Sequence, residues 1–243
     1  MADTDNITEE KISIKALLSG ATVLFAMGGI GSVVTIYGEI SWIPRFAGVL
    51  TLCLVVLSIA FCNRGSVYAQ IQNYSKAFFD YSRAETLDPS YASTYFNRAN
   101  LYKKTGNHEE ALKDYSKTVE IDPLYADVYI NRGGLYLYLK RYTEALEDSE
   151  KAVKLSSRNP IAYNNRGAAY SALKKYEQAL ADFNKAVNLD PSYLLAYKNR
   201  GSLYMYLGKD KASLEDYRMV LKLSPEDVQA KEYVAQLEKK MSE

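Results

Sequence analysis

Charge is absent from residues 16–38 and again from residues 46–63. As a helix the first run spans about 35 Å, enough to cross a bilayer core of roughly 30 Å. The second is shorter, about 27 Å as a helix, and richer in Leu, Val and Ile. Between them, residues 38–45 hold Glu39, Trp42, Pro44 and Arg45, and Tyr37 and Trp42 suit a membrane–water interface. The pattern predicts a transmembrane helical hairpin over 16–62, behind a polar tail of residues 1–15. Two other readings compete. A cleaved signal peptide is disfavoured by the long acidic leader and by an apolar stretch beyond the usual length of about 7–15 residues. The second run could instead be a buried core helix. Gly28 and Ser32 form a small-xxx-small pair that would permit close helix packing.

From residue 58 onward the pattern is periodic. Phe61-Cys62-Asn63-Arg64-Gly65 returns as Tyr95-Phe96-Asn97-Arg98-Ala99, Tyr129-Ile130-Asn131-Arg132-Gly133, Tyr163-Asn164-Asn165-Arg166-Gly167 and Tyr197-Lys198-Asn199-Arg200-Gly201, always 34 residues later. Counting places from Ala92, place 4 is aromatic, place 8 is Gly or Ala and place 11 is Tyr (Tyr68, Tyr102, Tyr136, Tyr170, Tyr204). Place 20 is small (Ala77, Ala111, Ala145, Ala179, Ser213), and Pro89, Pro123, Pro191 and Pro225 stand at place 32. Places 4, 8 and 11 share one face of a first helix. A turn near place 15, where Gly106 and Gly208 stand, starts a second helix, and proline stops that helix before the next unit. A fixed period of this length means stacked units rather than one globular core.

The pattern resembles the tetratricopeptide repeat family over residues 58–225, as five repeats: 58–91, 92–125, 126–159, 160–193 and 194–227. The resemblance implies an all-α, right-handed superhelical solenoid of helix-turn-helix units, here preceded by the hairpin. Beyond Pro225, Ala230, Tyr233, Val234, Leu237 and Met241 form one apolar stripe. Ser224-Pro225-Glu226-Asp227 reads as a helix start, so residues 226–243 are expected to cap the last repeat. The first repeat begins inside the second apolar run with no linker. One helix over about 46–71 would then serve as both span and first repeat helix, holding the repeats rigidly at the membrane.

Charge adds orientation and exclusions. Lys11 and Lys15 flank the hairpin on one side and Arg64, Lys76 and Arg83 on the other, against Arg45 in the loop, so both ends are expected in the cytoplasm. Were the repeats lumenal in a eukaryote, Asn73-Tyr74-Ser75 would accept a glycan. The net charge of +1 suggests no nucleic-acid partner. Arginine at place 7 is matched by aspartate at place 23 in every repeat: Arg64/Asp80, Arg98/Asp114, Arg132/Asp148, Arg166/Asp182 and Arg200/Asp216. Five matching acids argue for a ladder of ion pairs rather than a phosphate-binding stripe. Cys53 and Cys62 fall on opposite sides of a helix and are read as small apolar fillers, not a disulfide.

Catalytic chemistry finds no constellation. His108 is the one histidine, no metal-ligand spacing occurs, and no cofactor or small-molecule substrate is implied. Gly28-Gly29-Ile30-Gly31 lacks the strand and lysine of a phosphate loop. In the family, first helices line a concave groove, and asparagine at place 6 often bonds a bound peptide's main chain. An amide offers donor and acceptor together. The expected peptide-binding residues are therefore Asn97, Asn131, Asn165 and Asn199, with Asn100, Phe96 and Lys198 beside them; local or solvent bonding is the competing role. A subset of the family grips chaperone C-terminal carboxylates, but Phe96 stands where its lysine should be, and Ile161 and Asn165 where Lys and Arg should be. That reading is rejected. The expectation is a membrane-anchored interaction scaffold holding an extended or helical partner segment. The rivals are an assembly or stability factor recognising its client through the spans, and self-association through solenoid ends.

Overall fold

The computed structural model describes residues 43–242. The chain divides into two compact units, Met1–Thr51 and Leu52–Glu243, and only residues 43–51 of the first are described. The expected tail 1–15, the apolar run 16–38 and most of the loop, with Gly28, Ser32, Tyr37 and Trp42, lie outside the described residues. Among the described residues there are eleven helices and no strand. They are α1 (Ile43–Gln70), α2 (Tyr74–Leu87), α3 (Ala92–Lys104), α4 (His108–Ile121), α5 (Ala126–Tyr138), α6 (Tyr142–Leu155), α7 (Pro160–Ala172), α8 (Tyr176–Leu189), α9 (Leu194–Tyr206), α10 (Asp210–Leu223) and α11 (Val228–Ser242). Each repeat pairs two consecutive helices, and α11 packs on α10.

The turn within each repeat is a left-handed stop. Place 15 has positive φ in all five repeats: Gln72 at 62°, Gly106 at 81°, Lys140 at 59°, Lys174 at 61° and Gly208 at 69°. In repeat 2 the Asn107 N–H reaches back to the Tyr102 carbonyl at 2.9 Å and the Gly106 N–H to Lys103 at 3.3 Å, satisfying carbonyls the helix leaves open. The two glycines reveal this turn in the sequence; Gln72, Lys140 and Lys174 hide it. At the end of each second helix, Asp88 and Asp122 are extended ahead of their prolines, as the proline ring requires of its predecessor. Asp88 Oδ1 then accepts from the Ser90 N–H at 2.9 Å. Repeat 3 has no proline at place 32. Instead Pro160 begins α7, and Asn159 caps it by accepting from the Ile161 N–H at 2.9 Å.

The cap starts later than expected. Ser224-Pro225 keeps the inter-repeat turn, so Ser224 ends α10 and Asp227 caps α11, its Oδ1 accepting from the Ala230 N–H at 3.0 Å. The helix begins at Val228 rather than Glu226.

Within a repeat the helices touch through small residues. Ala77, Ala111, Ala145, Ala179 and Ser213 are fully buried. A Cβ added to Gly167 would lie 2.8 Å from Phe183 Cε1, so place 8 of repeat 4 is small because the ring at place 24 lies on it; in repeat 3 Gly133 faces Asp148 and Ser149 instead. Places 9 and 24 are coupled in repeats 1, 2, 4 and 5, whereas repeat 3 has Gly134 and Ser149 there. Tyr81, Tyr115 and Tyr217 bond Ser66, Asn100 and Ser202 at 3.2, 2.6 and 2.7 Å. Where place 9 is Ala168, which cannot bond, place 24 is Phe183.

The described residues contain one helix long and apolar enough to cross a membrane, over Gly48–Gln70, with mean hydropathy 1.8. Its second half belongs to repeat 1, where Ser58 and Cys62 are buried and Arg64 pairs with Asp80. Residues 43–57, which precede the first repeat in sequence, make about 22 Å of helix against a core of roughly 30 Å. The expected span over 46–62 therefore overlaps the solenoid.

Candidate functional site

The five arginines of place 7 form the expected ladder, which removes them from the candidate surface. Each grips the aspartate 16 residues later through Nε and Nη2, at 2.6–2.9 Å. Nη1 reaches back to the preceding repeat: Arg98 to Glu85 at 2.5 Å, Arg132 to Ser116 at 3.0 Å and Arg200 to Asn184 at 2.6 Å. The guanidinium also lies over the place 4 ring in every repeat, 5.0–5.9 Å from its centroid. Burial disfavours the Arg98 and Arg132 charges, yet their carboxylate partners outweigh it and raise both pKa values above the ordinary arginine value. These are structural clamps.

The asparagines of place 6 are less free than the sequence suggests. Three turn their amide nitrogen to the residue 35 positions earlier: Asn97 to Cys62 Sγ at 3.4 Å, Asn165 to the Ile130 carbonyl at 3.1 Å and Asn199 to Asn164 Oδ1 at 2.9 Å. Asn131 differs; the residue 35 positions before it is Phe96, whose ring packs on Tyr115 and Tyr125. Its Nδ2 instead donates to the Asp127 carbonyl at 2.9 Å, and its Oδ1 accepts from Lys103 Nζ at 2.9 Å. Asn165 is buried. The amide oxygens of Asn97, Asn165 and Asn199 have no partner among the described residues. Asn100 Oδ1 is held by Tyr115, and Lys198 is paired with Asp227 at the cap.

The expected residues thus fall into three groups. Asn97 and Asn100 meet in one cleft of about 230 Å³, lined also by Ser66, Gln70 and Lys104. Asn131 joins Lys103 one step along the stack. Asn165, Asn199 and Lys198 serve contacts within the array. Lys103 and Lys104, in the last turn of α3, were not among the expected residues. Neither has a carboxylate partner among the described residues, and Lys104 only covers the Tyr74 ring at 5.5 Å. Burial lowers the Lys103 pKa. Their signal was two adjacent lysines with no acid one helical turn away. Exposed Tyr138, Ile161, Leu195 and Tyr206 carry the first-helix surface onward.

A larger cleft, about 430 Å³, lies beside α4, lined by Lys113, Lys117 and Arg141 among others. Those three cations are paired with Glu110, Glu120 and Glu144, so none of them is left for an outside anion. His108 packs edge-on against Tyr138 at 5.1 Å. No cluster of metal-ligating side chains occurs among the described residues.

Family models agree with this architecture. One described as tetratricopeptide repeat matches residues 92–125 and 160–193, one described as TPR repeat matches 65–106 and 133–174, and a further tetratricopeptide repeat model matches 195–227. The chain belongs to the tetratricopeptide repeat family. Such arrays mediate protein–protein interaction. Among solved structures it is similar to PilF of Pseudomonas aeruginosa, with TM-score 0.69 and 22% identity over 76% of this chain and 85% of that one. It is similar to the TPR protein YrrB, with TM-score 0.61 and 22% identity over 71% of this chain and 89% of that one. MamA from Desulfovibrio magneticus RS-1 follows at TM-score 0.64 and 18% identity, over 70% and 97%. At these identities the likeness is one of fold. No curated protein matches.

Proposed function

We propose that this tetratricopeptide repeat protein is a membrane-anchored scaffold that holds a segment of a partner protein on the face built by its first helices. One observation carries the reading: Lys103 is half-buried on that face, with the Asn131 amide oxygen its one hydrogen-bond partner among the described residues. A cation partly withdrawn from water and left without a carboxylate is satisfied by an acidic group from outside. The amides of Asn97 and Asn100, Lys104 beside them, and exposed Tyr138 supply main-chain and apolar contacts to the same segment. The fold shared with YrrB, whose structure is described as having an unusual peptide-binding site, supports a peptide as the occupant. The anchor is α1, whose Val49, Leu50, Leu52, Val56 and Leu57 are exposed, together with the apolar run 16–38; the repeats face the cytoplasm.

The test is a crosslinked pull-down from native membranes, comparing wild type with Lys103→Glu. Because the asparagine amides also join repeats, the triple variant of Asn97, Asn131 and Asn165 to Ala is interpreted only with matched circular dichroism. Loss of the same partner from both variants supports the groove. Unchanged partners from Lys103→Glu overturn it. The exposed apolar start of α1 favours one second reading, an assembly factor that recognises a membrane client through its spans. Grafting the repeats onto an unrelated anchor separates the two, since activity retained by the graft counts against the second.

A further inference from the structure

The first repeat carries a stacking surface with nothing stacked on it among the described residues. In repeats 2 to 5, places 3 and 10 of the first helix are covered by the repeat before. Thr94, Val128, Ala162 and Ala196 at place 3 are fully buried. At place 10, Leu101, Leu135, Ala169 and Leu203 are 3, 2, 0 and 5% exposed. Leu101 sits in one cluster with Tyr81 and Ala84, and Leu203 with Phe183, all from preceding repeats. In repeat 1 the same places are Ala60 and Val67. Ala60 is exposed, and Val67 is 54% exposed. Ile71 at place 14 is 65% exposed.

The arginine ladder reports the same gap. Arg98, Arg132, Arg166 and Arg200 are 12–22% exposed and Arg64 is 55%. In three of the later repeats Nη1 finds an oxygen on the preceding second helix. Arg64 Nη1 finds none among the described residues, although Nε and Nη2 hold Asp80 as in every repeat. The surface therefore has apolar seats at Ala60, Val67 and Ile71 and one guanidinium arm awaiting an acceptor.

We infer that this face docks an amphipathic helix of another protein, one that lies where a preceding second helix would and presents a carboxylate to Arg64. Continuity with an interface built four times in this chain fixes the apolar part, and the free arm of Arg64 fixes the charge. A second copy fits poorly. Face to face it would set Arg64 against Arg64, and end to end its last repeat is covered by α11.

The probe is a synthetic fluorescent peptide of residues 74–87, the helix that covers this face of repeat 2. Its exposed Ser82 and Thr86 are replaced by a hydrocarbon staple, because an isolated helix this short is marginal in water. It is titrated into the full chain in detergent micelles. Saturable binding is expected, weakened at least ten-fold by Val67→Lys. Arg64→Ala should weaken it about ten-fold as well, but not for a peptide already carrying Glu85→Ala. Lys103→Glu should leave it unchanged, so failure here and failure of the groove reading are told apart. Val67 is exposed, so its variant is expected to keep the wild-type circular dichroism. Absence of saturable binding, or binding indifferent to Val67→Lys, overturns the inference. So does a sedimenting dimer that Val67→Lys splits, which assigns the face to a second copy. Binding that appears only after residues 1–42 are removed also overturns it, because the chain then covers itself.

Discussion

Arg132 holds Asp148 through two parallel hydrogen bonds of 2.8 Å each, while its third nitrogen reaches Ser116 in the repeat before. One side chain thereby joins the second helices of two successive repeats through a first helix. Removing one partner leaves the other buried and unpaired, which costs about 3–5 kcal/mol. Asp148→Ala should therefore destabilise strongly, and the double replacement Arg132→Leu with Asp148→Leu much less than the sum. Arg64→Ala should cost the least of the five arginines, since that guanidinium is the most exposed. Urea denaturation of the set, read as a double-mutant cycle, decides it.

Lys140 and Lys174 hold φ near 60°, a conformation disfavoured for residues with a Cβ by roughly 1–2 kcal/mol. Replacing either by Gly is expected to stabilise by up to about 1 kcal/mol, the gain being reduced by glycine's greater freedom in the unfolded chain. Gly208→Ala should lose about as much, although open space surrounds its Cβ position. Opposite shifts in thermal midpoint at equivalent turns would check that conformation, not contact, is responsible.

Gly167 lies under the Phe183 ring, so Gly167→Ala forces a displacement costing about 1–3 kcal/mol. Ala99 occupies the same place in one buried cluster with Tyr115, so the neighbours of a given repeat decide the tolerance. Phe183→Leu in the Gly167→Ala background should recover part of the loss, measurable in the same denaturation assay.

Alkali should unfold the array cooperatively. Burial pushes Tyr95 up to about 12, aided by Glu85, and burial likewise raises Tyr81, Tyr115 and Tyr217. With folded values above the unfolded value near 10, their contribution is complete below about pH 10 and is lost as pH rises toward about 12. Unfolding midpoints should fall through that window in step with tyrosinate absorbance. Tyr115→Phe should lessen the slope; an unchanged slope would remove Tyr115 from the account.

The repeat, its 34-residue phase and its ion-pair ladder were legible in the chain because each depends on residues at fixed spacing within one unit. The Tyr115–Asn100 pairing is of this kind too, since Ala168 beside Phe183 records its absence in plain sequence. The left-handed turns at Gln72, Lys140 and Lys174 were not legible, because no side chain there advertises φ. Nor was the engagement of Asn97, Asn165 and Asn199, whose partners lie one repeat away. Local periodicity alone determined what each unit is. Only stacking decided which groups stay free, because the repeat that covers Leu101 has no counterpart over Val67 among the described residues, and the amide that meets Lys103 comes from the repeat beyond it.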